Sequence, residues 1–274
     1  MKKIFSILAL SLCFIGSALA QPAATNDDSA TTLRQIRTAA ERGDVNAQLL
    51  LGTMYLDGSG AVLDHAQAAI WLRKAADQGD ANAQFKLGLM YANGWSVAQN
   101  YAEAAAWYRK AAERGNAEAQ LELGIAYDNG RGVTQDYAQA FAWYRKAADQ
   151  GDIDAQNNLG AMYMTGRGVT KDHAQAAAWF RKAADQGDAN AQFKLGIMYT
   201  IGYGIAQDYA QAAAWLRKAA DQGDIDAQNN LGTMYENGLG VVKDYAQAIA
   251  WYRKAAAQGN AKAKEALRRI DAGR

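Results

Sequence analysis

The side chains best suited to chemistry in this 274-residue chain are few and far apart. His65 and His173 are its two histidines, and either could ligate a metal or carry a proton. A metal site needs three or four donors converging at about 2 Å from the ion. The two histidines occupy equivalent positions of a repeated pattern, three periods apart. Packed helices sit roughly 8–10 Å apart, so three periods put the pair beyond a shared ion. At the same register stand Tyr101, Tyr137, Tyr209 and Tyr245, and the position reads as an aromatic ring packed near a helix start. Ser59 and Ser96 are candidate nucleophiles, but no Gly-x-Ser-x-Gly turn surrounds them and no histidine adjoins them. Asp64, Asp136, Asp172, Asp208 and Asp244 suggest general acid–base work, yet they recur once per period where a helix should begin. Helix capping accounts for them. No catalytic, metal-binding or cofactor-binding set is assigned.

Composition narrows the classes further. Lysine and arginine number 29 against 28 acids, which excludes a nucleic-acid binder held by phosphate charge. Half the chain is hydrophobic, with alanine the commonest contributor, and there is one proline; both favour closely packed helices over a β-sandwich or a disordered chain. Lys2 and Lys3, an apolar run from Ile4 to Ile15, and Ala18-Leu19-Ala20 have the layout of a secretory signal cleaved after Ala20. That run is too short for a comfortable membrane span, and no other stretch qualifies. Cleavage would remove Cys13, the single cysteine, so the exported protein, periplasmic or secreted, would hold together by packing alone. Residues 21–32 read as a flexible leader.

The elements that position these side chains follow from a repeat. Ala-Gln-x-x-Leu-Gly recurs from Ala47, Ala83, Ala119, Ala155, Ala191 and Ala227, always 36 residues apart. Trp71, Trp107, Trp143, Trp179, Trp215 and Trp251 keep the same step. Six units therefore run without insertion from 45 to 260, with a half-unit cap over 33–44 and another over 261–274. Each unit predicts two helices. In the first unit, helix A spans Val45 to Asp57 behind Asp44, with Ala47, Leu51 and Tyr55 on one face. Gly52 costs that helix about 1 kcal/mol against alanine. Its recurrence at Gly88, Gly124, Gly160, Gly196 and Gly232 predicts a partner helix pressed close. Helix B starts after Asp64, turns His65, Ala68, Trp71, Leu72, Ala75 and Ala76 inward, and stops at Gly79. Arg73, Lys74 and Asp77 point outward; the recurring Arg-Lys pairs, with acids one turn on, read as a solvated face. Neither helix can bury its stripe alone, so the fold expected is an all-α, right-handed α/α solenoid.

The string Gly-x-Gly-Val-x-x-Asp-Tyr-x-x-Ala followed by Trp-x-Arg-Lys-Ala-Ala-x-x-Gly, as at Gly130 to Gly151, resembles the Sel-1-like repeat family, a longer relative of the tetratricopeptide repeat. The resemblance implies an adaptor or scaffold. Bacterial secreted members are similar to partners in envelope signalling, polysaccharide secretion, host interaction or toxin immunity. A cysteine-rich branch implies the alternative, a penicillin-binding or β-lactamase-like enzyme; that branch carries a disulfide in each repeat, and this sequence has none.

Repeats supply an internal control: invariant positions serve the stack, and variable ones are free to serve a ligand. The outward arc of helix A varies most, through Leu49, Phe85, Leu121, Asn157, Phe193, Asn229 and, one turn on, Thr53, Leu89, Ile125, Ala161, Ile197, Thr233. In helix-pair superhelices that arc lines a concave groove for peptides or partner helices. The plainer reading is that these residues complete contacts between units. The residue between the loop glycines also varies, through Ser59, Trp95, Arg131, Arg167, Tyr203 and Leu239. The candidate partner-binding set is therefore Phe85, Leu89, Leu121, Ile125, Phe193 and Ile197 with Trp95 and Tyr203, for a protein or peptide partner.

Overall fold

The computed structural model describes residues 26–272 as fourteen helices, with no strand among the described residues. Helix α1 (Asn26–Glu41) precedes six hairpins. They are α2 with α3 (Val45–Asp57, His65–Asp77), α4 with α5 (Ala81–Asn93, Tyr101–Glu113) and α6 with α7 (Ala117–Asn129, Tyr137–Asp149). There follow α8 with α9 (Ile153–Thr165, His173–Asp185), α10 with α11 (Ala189–Ile201, Tyr209–Asp221) and α12 with α13 (Ile225–Asn237, Tyr245–Ala257). Helix α14 (Ala261–Ala272) closes the stack, and each helix packs chiefly on the one before and the one after. This is an all-α solenoid. The signal expected over residues 1–20 lies outside the described residues, as does the start of the leader; residues 26–32 of the leader are helical, within α1. No helix among the described residues is long and apolar enough to cross a membrane.

Capping sets the element boundaries. The Asp44 carboxylate accepts from the Ala47 N–H, and Gly58, at φ +76°, sends its own N–H back to the Met54 carbonyl. The Asp64 carboxylate accepts from the N–H groups of Ala66 and Gln67 at the start of α3. Asp136, Asp172, Asp208 and Asp244 cap their helices in the same manner, each cap being worth about 1 kcal/mol. That is where the carboxylates' hydrogen-bonding capacity goes.

Close packing of the two helices in a hairpin explains the recurrent glycine of helix A. A Cβ on Gly52 would sit 2.7 Å from Leu72 Cγ, and one on Gly124 would sit 2.6 Å from Tyr144 Cδ1. The tryptophan of each helix B is buried, at 3–9 % exposure from Trp179 to Trp143, which places the whole ladder in the core. A second ladder is polar. Each buried glutamine of helix A, such as Gln120 or Gln156, donates through Nε2 to an alanine carbonyl at the end of the preceding helix B. In five of the six repeats its Oε1 then accepts from the glutamine that ends the following helix B, as Gln120 does from Gln150 at 2.8 Å.

The Arg-Lys pairs correct the expectation of a plain solvated face. Lys74 Nζ lies 4.1 Å from the Trp71 ring centre and Lys182 Nζ 3.7 Å from that of Trp179. The arginine reaches forward: Arg73 donates to the Tyr91 hydroxyl of the next unit at 2.6 Å. Arg37, Arg109, Arg181 and Arg217 make the same bond to Tyr55, Tyr127, Tyr199 and Tyr235. These cations latch one repeat to the next and cover the tryptophan faces. Of the acids read as their partners, Asp149 is the one that forms an ion pair among the described residues, with Arg145. The Arg37–Tyr55 bond also identifies α1 as a lone helix B, docked through Leu33 and Ile36. At the far end α14 buries Ala263 and Ala266 and leaves Lys262, Lys264 and Arg268 exposed, a polar outer face suited to a terminus.

Candidate functional site

The variable residues of helix A form two groups, one around the second and third units and one in the fifth. The first surrounds a hollow of about 310 Å³ between α4, α5 and α6, lined in part by Leu89, Tyr101, Tyr108, Glu122, Ile125 and Arg131. Leu89 and Ile125, two of the candidate residues, meet here. Phe85 stands beside it, its ring tilted at 38° on Tyr108 with centres 5.9 Å apart. Leu121 and Ile125 also pack against the cluster built on Tyr144 and Leu159, and Phe193 and Ile197 against that of Leu216 and Leu231. All six helix-A candidates are half-buried. They share one register but are not one continuous patch: Phe85, Leu89, Leu121 and Ile125 form one neighbourhood, Phe193 and Ile197 another.

The hollow is electrostatically loaded. Burial pushes the Glu122 carboxyl above its ordinary range; the Arg131 charge opposes this, and Asp152 and Asp154 add to it. Burial, helped by the Glu122 charge, likewise raises the Tyr108 phenol. A desolvated acid and a neutral phenol facing a cavity are poised for a ligand with hydrogen-bond donors. Sequence reasoning missed Glu122 and Tyr108. The signal for Glu122 was present in the column Leu50, Lys86, Glu122, Asn158, Lys194, Asn230, which varies as much as its neighbours.

The loop candidates occupy a different setting. Trp95 stacks on His65 with ring centres 5.5 Å apart and planes at 27°, and Tyr203 lies over His173 at 3.8 Å. Arg131 and Arg167 sit over Tyr101 and Tyr137 at 5.0 and 4.3 Å. The loop residue of units two to five thus covers the first ring of the previous helix B, histidine met by an aromatic and tyrosine by an arginine. Trp95 is half-buried by this contact, while Tyr203 keeps 36 % of its surface. No group of three or more histidine, cysteine or acidic side chains among the described residues is close enough to hold a metal ion.

The geometry of gapless, mutually latched hairpins meets its counterpart among known proteins. The Sel1 repeat family model matches six times, over 45–80, 81–116, 117–152, 153–188, 189–224 and 225–260. The chain belongs to the Sel1 repeat family. Sel1 repeats mediate protein–protein interaction. Among solved structures the chain is similar to c5321, a protective antigen of uropathogenic Escherichia coli strains displaying an SLR fold, at 43 % identity and a TM-score of 0.81. That match covers 84 % of this chain and 50 % of the E. coli chain, so this Sel1 chain spans half the length of that relative. A Sel1 repeat protein from Oxalobacter formigenes is similar at 36 % identity and a TM-score of 0.58, over 90 % of this chain and 82 % of that one. No curated protein matches the chain significantly.

Proposed function

We propose that this Sel1 chain is a non-enzymatic interaction scaffold, exported by its N-terminal signal, that holds a protein or peptide along the variable arc of its A helices. The observation that carries the proposal is the loaded hollow of about 310 Å³, where variable residues Leu89, Ile125, Glu122 and Arg131 converge on an otherwise invariant frame. A stack that buries its invariant residues and leaves its variable ones around a cavity is organised for recognition. Identical copies such as Asp152–Gly160 and Asp224–Gly232 also suit repeated contact better than a catalytic constellation, which needs unlike groups converging. The similarity to an antigen of uropathogenic strains fits a role outside the cytoplasm in a bacterium.

The test is quantitative binding of a partner recovered on the mature chain. Glu122→Lys and Leu89→Asp should each weaken that binding tenfold or more while the thermal melt stays cooperative. Unchanged affinity in variants that remain folded would overturn the assignment to the hollow. Recovery of the variants, but not the wild type, in the cytoplasmic fraction has no place in this reading; export is tested separately, by deleting residues 2–20 and locating the protein.

A further inference from the structure

The polar ladder has one break. Gln48, Gln120, Gln156, Gln192 and Gln228 each accept, through Oε1, a bond of 2.7–3.0 Å from Gln78, Gln150, Gln186, Gln222 and Gln258. Gln78, Gln186, Gln222 and Gln258 also donate to the carbonyl of Gly43, Gly151, Gly187 and Gly223. In the second repeat the donor's place is taken by Arg114. Gln84, at 4 % exposure, still donates to the Ala76 carbonyl, but its Oε1 is buried with no hydrogen-bond partner among the described residues. Arg114 does not replace the missing bond. Its guanidinium lies against Gly79, where an added Cβ would sit 3.1 Å from Nη2, and no side-chain hydrogen bond or ion pair holds it among the described residues. A buried acceptor left unpaired destabilises the fold.

Gln84 lines a hollow of about 510 Å³ together with Gly79, Trp107, Lys110, Glu113 and Arg114. A second hollow, of about 690 Å³, shares Glu113 and runs on past Arg109, Tyr127 and Trp143. Neither hollow shares a lining residue with the one around Glu122. The remaining repeats show what fits beside the buried glutamine: a primary carboxamide, its NH2 given to a glutamine Oε1 and a glycine carbonyl. We propose that the gap at Gln84 is a binding site for the carboxamide side chain, glutamine or asparagine, of an extended partner segment. That side chain completes the ladder from outside, Arg114 swings into solvent to admit it, and the rest of the segment lies across the adjoining hollow past Glu113. The site is independent of the helix-A arc and can fail or stand without it.

The experiment follows the Gln84 side-chain amide by 1H–15N NMR while N-acetyl-glutamine N-methylamide is titrated into the full chain, with the glutamate analogue as control. The wild type should shift with the glutamine probe and not with the glutamate one. Arg114→Gln, which rebuilds the ladder internally, should melt a few degrees higher and bind the probe at least tenfold more weakly. Arg114→Ala, which uncovers Gln84 without supplying a donor, should bind as well as wild type or better. Equal binding by Arg114→Gln, equal response to the glutamate probe, or loss of binding in Arg114→Ala would each overturn the proposal. A lower melting temperature for Arg114→Gln would overturn its premise.

Discussion

Repeats two and five follow the same capping residue and begin with the same sequence, Asp80–Gly88 and Asp188–Gly196, and are put to different use by what surrounds them. The shared part behaves alike: Asp80 and Asp188 cap their helices at 2.7 Å, and Gln84 and Gln192 both donate to the preceding alanine carbonyl. The neighbours differ. Phe85 meets the Tyr108 ring, whereas Phe193 packs in the cluster that contains Leu216. Gln192 Oε1 accepts from Gln222, whereas Gln84 Oε1 has no partner among the described residues. The loop after α10 uses Gly204 at φ +73°, whereas the loop after α4 places Ser96 at φ +54°, the one non-glycine among the described residues with positive φ. In a stack whose units touch only their neighbours, identical helices acquire distinct roles from the residues just outside them.

The largest effect expected is from giving repeat five the loop of repeat two. A Cβ at Gly204 would overlap the His173 carbonyl, so Gly204→Ser should cost about 3 kcal/mol and separate Tyr203 from His173. The reciprocal Ser96→Gly should add about 1 kcal/mol by relieving a left-handed serine. It should also draw Trp95 nearer to His65 than the present 5.5 Å. Chemical denaturation and the ring proton shifts of His173 and His65 measure the two changes; a neutral Gly204→Ser would show that the loop is not seated on the preceding helix. Next in size is the ladder. Gln222→Arg should cost about 1–2 kcal/mol by orphaning Gln192 Oε1, while Arg114→Gln returns about 1 kcal/mol. If the two exchanges shifted the melt in the same direction, the asymmetry between the repeats would not lie in the glutamines.

Most of this frame was legible from the chain alone, because a strict period converts every invariant residue into a structural statement. Gly52 and its equivalents announced a close helix contact, and the aspartates announced caps, since each demand is local or repeats at fixed spacing. What the period could not show was direction along the stack. Arg73 reads as outward on its own helix, yet its hydroxyl partner, Tyr91, belongs to the next unit. Trp95 reads as a free loop aromatic until the preceding helix supplies His65 beneath it. Glu122 escaped notice because its burial, which desolvates it, is a property of the folded stack and not of its place in the period. The break at Arg114 was printed in the sequence as a single departure from glutamine, but its meaning needed the bond that the other repeats make there.

The smallest effect separates the two copies by electrostatics alone. Lys194 holds its ammonium 4.8 Å from the centre of the Phe180 ring, and burial lowers its affinity for the proton below that of an ordinary lysine. At the matching position before Lys86 stands Leu72, so the same lysine in repeat two has no ring beneath it. A cation whose folded-state proton affinity is depressed costs stability at every pH where it stays charged. That cost fades as the pH rises through the lowered folded value towards the ordinary lysine range. Lys194→Met should therefore stabilise the chain modestly at neutral pH, with the gain shrinking in alkaline buffer. Denaturant midpoints for Lys194→Met and Lys86→Met, taken between pH 7 and the alkaline limit of reversible folding, provide the check. A gain at Lys194 that did not decline with pH would mean that contact with Phe180, and not the buried charge, distinguishes the two helices.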